Sequence, residues 1–205
     1  MSTVSTLKTR MDFYLGATNA YSSGDKLVGL NEARKHILMN YDVDEFVVTT
    51  TLTFTSGKAT IPTDYLRWVR MFDSTTKTRE FMRVDVNEFD KDLDDRWTIK
   101  DDSGTRKIHI YPTDLTSEVL RYVKLPTDLS VDSDSTGFNA YWDSAHAAWA
   151  SWWVLMSDRQ DASATMIEVA KELSETALRH QDNEIEKNTS LSTAFDDDKL
   201  FFLES

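Results

Sequence analysis

Phe46-Val47-Val48-Thr49-Thr50-Thr51-Leu52-Thr53-Phe54 is the stretch on which the fold turns. Phe46, Val48, Thr50, Leu52 and Phe54 alternate with Val47, Thr49, Thr51 and Thr53. A period of two in β-branched and aromatic residues makes a pleated strand, because such side chains are stiff at χ1 and pack well on a pleat. Thr55-Ser56-Gly57-Lys58 follows as a tight turn, predicting a hairpin that returns through Ala59-Thr60-Ile61 until Pro62, which cannot donate to a ladder.

Further strands are predicted downstream at Arg67–Phe72, Glu80–Val84, Arg96–Lys100, Lys107–Tyr111 and Val119–Lys124, each bounded by Ser, Thr, Asp, Gly or Pro. Asp101-Asp102-Ser103-Gly104 is the turn of a second hairpin, and Asp85–Asp94 has room for one or two helical turns carrying Val86, Phe89 and Leu93 on one side.

Helical spacing flanks this β-rich portion on both sides. Upstream, Val4, Leu7, Met11, Tyr14 and Leu15 mark one face of a helix over 4–15 that Gly16 can end. A serine near Ser22-Ser23 caps a second helix over 25–41 with Leu27, Leu30, Ile37, Leu38 and Tyr41. Downstream, Ala145, Ala148, Trp149, Trp152 and Leu155 define a helix within 139–157, and Met166, Val169, Ala170, Leu173, Ala177 and Leu178 define another within 161–187. The short break between them favours an antiparallel pair.

The expected fold is α+β: a helical bundle, made of the N-terminal helices and a long C-terminal antiparallel helix pair, with a central antiparallel β-rich portion over 46–124. One domain is expected over 1–187. Periodicity then fades, and 188–205, with Asp196-Asp197-Asp198 and Leu200-Phe201-Phe202-Leu203, is expected to be an extended arm.

Composition narrows the function. The 205 residues carry 23 Lys and Arg against 35 Asp and Glu, a net charge of −12 that repels nucleic acid and anionic lipid. With 40% hydrophobic residues the chain is too apolar for disorder. No cysteine is present, which excludes thiolate metal sites and cysteine nucleophiles. No apolar run approaches a membrane span or a signal-peptide core, so a soluble protein, intracellular where it is made, is expected.

Catalytic patterns are thin. His36, His109, His146 and His180 are isolated, and no GxSxG, GxGxxG or Walker loop occurs. Asp132, Asp134, Thr136, Gly137 and Asp143 partly follow a calcium loop; the competing reading is a solvated acidic loop before a helix. Trp142, Trp149, Trp152 and Trp153 suit core or subunit packing better than a sugar-stacking platform, because the stripe has helical spacing. Arg67, Arg70, Lys77, Arg79 and Arg83 are the one basic concentration, read as the polar sides of strands or as a contact for an acidic partner or DNA phosphates. The apolar end of the arm either folds back or docks on a partner.

Three segments in this order resemble the head-to-tail adaptor (connector) proteins of tailed bacteriophages. Ala59-Thr60-Ile61-Pro62-Thr63-Asp64-Tyr65-Leu66-Arg67 is similar to that family's LPxDFLR element. Trp97-Thr98-Ile99 and Ile108-His109-Ile110-Tyr111-Pro112 follow. Arg121-Tyr122-Val123-Lys124-Leu125-Pro126-Thr127-Asp128-Leu129-Ser130-Val131-Asp132-Ser133-Asp134 is similar to the YxxxPxxLSxDxD segment. The resemblance spans about Asn31 to Glu184.

The resemblance implies a structural protein without catalytic residues, metal or cofactor. It implies a homo-oligomeric ring, typically a dodecamer, in the virion neck, made in the cytoplasm of the bacterial host, with genomic DNA passing through its lumen unread and no membrane contact. The portal protein would be bound by the arm, through Phe195, Leu200, Phe201, Phe202 and Leu203. Trp149, Trp152 and Trp153 are the expected subunit-interface residues. The hairpin tips Ser56, Gly57, Lys58, Asp101, Asp102 and Gly104 would face tail or nozzle proteins. Two alternatives are a carboxylate-based cell-wall hydrolase of a phage particle, with the Trp cluster as sugar platform, and a calcium-binding interaction module.

Overall fold

The structure, a computed structural model, describes residues 1–16, 21–75, 78–89, 94–156 and 160–200, and of these 160–161 and 184–200 by backbone alone. It divides into two compact units, Met1–Tyr41 with Asp128–Ser205, and Asp42–Thr127.

The first unit is helical. Helix α1 (Val4–Leu15) buries Val4, Leu7, Met11 and Leu15, starts at an N-cap Thr3 and ends on Gly16 at φ 67°, the left-handed conformation that glycine adopts without strain. Its first amides would otherwise lack acceptors. They donate to the loop that precedes the C-terminal helices, Val4 N to Asp134 O and Ser5 N to Asp132 O, each at 3.0 Å. Helix α2 (Ser23–Asn40) begins with a capping box in which Ser22 and Asp25 satisfy each other's backbone amides. Asn31 on α2 holds the loop by two hydrogen bonds to the Leu129 backbone, 3.0 and 2.8 Å.

In the second unit β1 (Val47–Thr53), β2 (Lys58–Thr60), β3 (Tyr65–Asp73), β4 (Glu80–Arg83), β5 (Arg96–Asp102), β6 (Thr105–Tyr111) and β7 (Ser117–Lys124) form one seven-stranded sheet. A single helical turn, α3 (Val86–Phe89), follows β4. The strand order is β1-β7-β3-β4-β5-β6-β2, so consecutive strands β1 and β2 lie at its two ends and the sheet curls into a nearly closed barrel. Leu52, Phe54, Met71, Phe81, Trp97, Ile108, Ile110, Leu120 and Tyr122 fill its interior.

Four expectations are corrected. The helical bundle with a long antiparallel helix pair is replaced by a mixed α+β fold around the seven-stranded sheet. Helical periodicity is visible locally, whereas the pairings that give the strands their own core, β1 with β7 and β2 with β6, span long sequence separations. The two C-terminal helices are unequal: α4 (Asp143–Met156) has 14 residues and is preceded by a 3-10 turn at Ala140–Trp142, while α5 (Gln160–Leu200) has 41.

The segment 188–200 is therefore the end of α5 and not an extended arm. Asn188-Thr189-Ser190 and Asp196-Asp197-Asp198 are poor helix formers, but extending an existing helix avoids the cost of nucleation. The turn at Thr55–Lys58 forms, with Ser56 at φ 50° and Gly57 at φ 72° and an isolated bridge between Thr55 and Lys58, but β1 and β2 do not pair beyond it. Finally, β4 and β5 run parallel, so the sheet is not wholly antiparallel.

Candidate assembly surfaces

Helix α4 carries Trp149, Trp152 and Trp153, with Trp142 at the end of the 3-10 turn before it, and packing sorts these side chains by depth. Gly29 on α2 brings the helices together: a Cβ there would sit 2.8 Å from the Ala150 carbonyl oxygen and 3.0 Å from Val154 Cγ2. His146 is fully buried, its Nε2 lies 2.8 Å from Leu30 O, and burial pushes its pKa down to about 4. Trp149 is 3% exposed and donates its indole N–H to Ser174 Oγ on α5 at 2.9 Å. Its ring lies 4.1 Å from that of His36, and Trp152 meets it edge-on at 5.5 Å. Trp152 is half-buried, and Trp153, 6.0 Å from it, is 36% exposed. Trp149 is thus taken up inside the chain, whereas Trp153 and Met156, 43% exposed, offer apolar surface.

The two hairpin tips do not share an end of the sheet. Gly57 O accepts from Ile110 N at 2.8 Å, near the end of β6, while Ser103 and Gly104, at φ 58° and 83°, form the turn before its start. A side chain at Gly57 would collide with Thr113 and the Ile110 carbonyl. Side chains on the outer face nevertheless link the two segments: Asp102 takes Lys58 Nζ at 3.1 Å and Lys107 Nζ at 2.8 Å. Those hydrogen bonds, Lys107's first and Lys58's second, hold the Asp102 carboxyl down at about 2. Asp101 closes its turn by accepting from Gly104 N at 2.8 Å.

The acids of the loop that partly follows a calcium-binding pattern are taken up by other contacts. Asp134 Oδ2 accepts from Ser130 N at 2.7 Å and Val131 N at 3.0 Å, which lowers its pKa. Asp132 pairs with Lys8 at 2.6 Å, and Asp143, buried, accepts from the Ser2 hydroxyl. The three carboxylates serve three different partners. Among the described residues no three His, Cys, Asp or Glu side chains are grouped so as to hold a metal ion.

The basic concentration is divided as well. Arg67 pairs with Asp42 and Arg79 with Asp95. Arg83 lies over the Trp68 and Trp97 rings at 5.7 and 5.8 Å, and Lys77 falls outside the described residues. Arg70 remains exposed beside an open cleft.

Of the expected portal-contact residues, Phe195 and Leu200 lie on the α5 backbone, and Phe201, Phe202 and Leu203 fall outside the described residues. No described helix is long and apolar enough to cross a membrane. The buried His146 and the Gly29 contact escaped the sequence reading; a glycine inside a helical pattern is the one signal that points to close helix packing.

A family model described as SU10 adaptor protein matches residues 2–193. No curated protein matches the chain.

Proposed function

The chain belongs to the SU10 adaptor protein family, a family of phage head-to-tail adaptors, and from that premise we propose that it forms a ring of identical copies linking the portal to the tail in the virion neck. The family match over residues 2–193 is the observation that carries the reading. It is a structural role, performed by surfaces and not by a catalytic constellation.

Each surface has a place in that proposal. The end of α5, with Phe195, Leu200, Phe201, Phe202 and Leu203, binds the portal through these apolar side chains. Trp153, with half-buried Trp152 beneath it, lies in the contact between neighbouring copies; Trp149 supports that contact from inside the chain. The turn Asp101-Asp102-Ser103-Gly104 faces the tail. Ser56, Gly57 and Lys58, at the other end of β6, are proposed as a second contact with tail or nozzle proteins, reached from the side of the ring.

The charge of −12 per copy suits a DNA passage. An acidic lumen repels phosphates at short range, while salt screens the field beyond about 8–10 Å, so the duplex passes without being held. The ring number proposed is the dodecamer usual in the resembling family.

Mass by light scattering tests the proposal, with the purified chain alone and mixed with a portal ring. Several copies per portal ring are expected. A chain that stays monomeric in both conditions overturns the reading.

A further inference from the structure

The register of the sheet sets two arginines at facing positions on neighbouring strands. The register pairs Arg70 of β3 with Arg121 of β7. Facing positions on an antiparallel pair bring Cβ atoms to about 4.5–5.5 Å, and like charges there are destabilising. Plain alternation along β3 does not give this pairing, because the register shifts between Trp68 and Arg70. Such bulges re-aim a side chain and are features of a fold, not defects.

On its other side Arg121 pairs with Thr49, which brings no charge. Among the described residues no carboxylate lies within ion-pair distance of Arg70 or Arg121, although Arg67 and Arg79 have theirs. Arg70 is exposed, rests 5.8 Å over the Phe72 ring, and lines an open cleft of about 310 Å³ with Phe72, Thr78 and Glu80.

We propose that Arg70 and Arg121 form a docking pair for a carboxylate of a neighbouring copy of this chain, supplied by the exposed acidic stripe of α5. The inference rests on the ring reading above. A guanidinium pair binds a carboxylate through directed, forked hydrogen bonds, and a carboxylate seated between facing arginines offsets their like charge.

The charge distribution selects the occupant. Residues 42–127 hold thirteen Lys and Arg against sixteen Asp and Glu, and the remainder holds ten against nineteen, so most of the acid excess lies outside the sheet unit. On α5, Glu168, Glu172, Glu175, Arg179 and Asp182 recur at the spacing of one helical face, and all are exposed. Lys171 pairs with Glu168 and Arg179 with Glu175, while Glu172 and Asp182 have no ion pair among the described residues. A DNA backbone is disfavoured, since Glu80 lines the same cleft and the whole chain repels polyanions. A cationic site on the sheet unit and an acidic stripe on the helical unit give two unlike surfaces, as the heterologous contact that closes a ring requires.

Zero-length carbodiimide coupling in the assembled protein provides the test. The variant R70K keeps the charge and supplies an amine; it is mixed as heavy-isotope-labelled and unlabelled chains before assembly on the portal. Peptides joining position 70 to Glu172 or Asp182 across heavy and light chains are expected. In parallel, R70E raises the concentration needed for half-assembly about tenfold, and adding E172R recovers much of the loss. Couplings confined to one chain, couplings to another protein, or an assembled ring with no coupling at position 70 overturn the inference while leaving the ring reading intact. Failure of the wild-type chain to assemble, alone or on the portal, instead overturns the ring reading.

Discussion

Gly29 and Ala150 fix how closely the second and fourth helices approach: a Cβ at position 29 would stand 2.8 Å from the Ala150 carbonyl oxygen, and the neighbouring Val154 Cγ2 would stand at 3.0 Å. Gly29→Ala therefore forces the helices apart and is expected to cost about 1–3 kcal/mol, despite the better helix propensity of alanine. Gly24, in the first turn of α2, meets only Ser22 Oγ at 3.5 Å. Gly24→Ala should leave the urea midpoint unchanged or higher, and equal behaviour of the two variants contradicts the account.

His146 makes the fold acid-sensitive. Its folded-state pKa is lowered from 6.5 to about 4 by burial, so between those values the unfolded chain binds the proton and the folded chain does not. Stability from this group is complete above about pH 6.5, falls as pH drops, and has lost about 3 kcal/mol by about pH 4. Urea unfolding from pH 7 to pH 4, compared with His146→Gln, checks it: the variant, lacking the titrating ring, should show a flatter profile over that window.

Trp149 is held to Ser174 by a buried hydrogen bond of 2.9 Å. Ser174→Ala leaves the indole N–H without its acceptor and is expected to destabilise the chain by about 1–3 kcal/mol. Trp153→Ala, at a 36% exposed position beside Trp152, gives up some packing and should weaken assembly by more than its loss of stability accounts for. The reverse pattern, with stability lost at 153 and assembly lost at 174, reverses the roles of these positions.

Local chemistry made part of this fold legible in the sequence. Gly16 as a left-handed cap, Ser22 as a helix cap and Ser56-Gly57 as a tight turn are each determined within a few residues, and each forms where the pattern places it. Partner choice is not local. Nothing in Ala59-Thr60 says that β2 joins β6 and not β1, and nothing in Glu80–Arg83 says that β4 lies parallel to β5. For the assembly surfaces, spacing showed a tryptophan stripe, but only packing separates Trp149, inside, from Trp153, outside. The Arg70–Arg121 pairing was hidden because a bulge shifts the register.

Asp102 fastens Lys58 and Lys107 across three strands of the sheet. Asp102→Asn removes the charge from both contacts, and the fold should persist because the ion pairs are at the surface. Faster amide hydrogen exchange is expected around Lys58 and Lys107 and none in the α4 core. Unchanged exchange at both lysines shows that these ion pairs do not order the outer face.

The end of α5 separates folding from partner binding. Among the described side chains of this helix the buried ones, Ser163, Ala170, Ser174 and Ala177, lie at least twenty residues before Lys199. Removal of residues 199–205 therefore takes nothing from the described core and should leave the unfolding midpoint within about 0.5 kcal/mol of the full chain. Portal binding, measured by light scattering of the mixture, is expected to fall sharply, because Leu200, Phe201, Phe202 and Leu203 are the apolar part of the proposed contact. If binding falls only when position 195 is also changed, the contact sits on the helical part of the segment; a truncated chain that binds the portal as well as the full chain removes this end of α5 from the contact altogether.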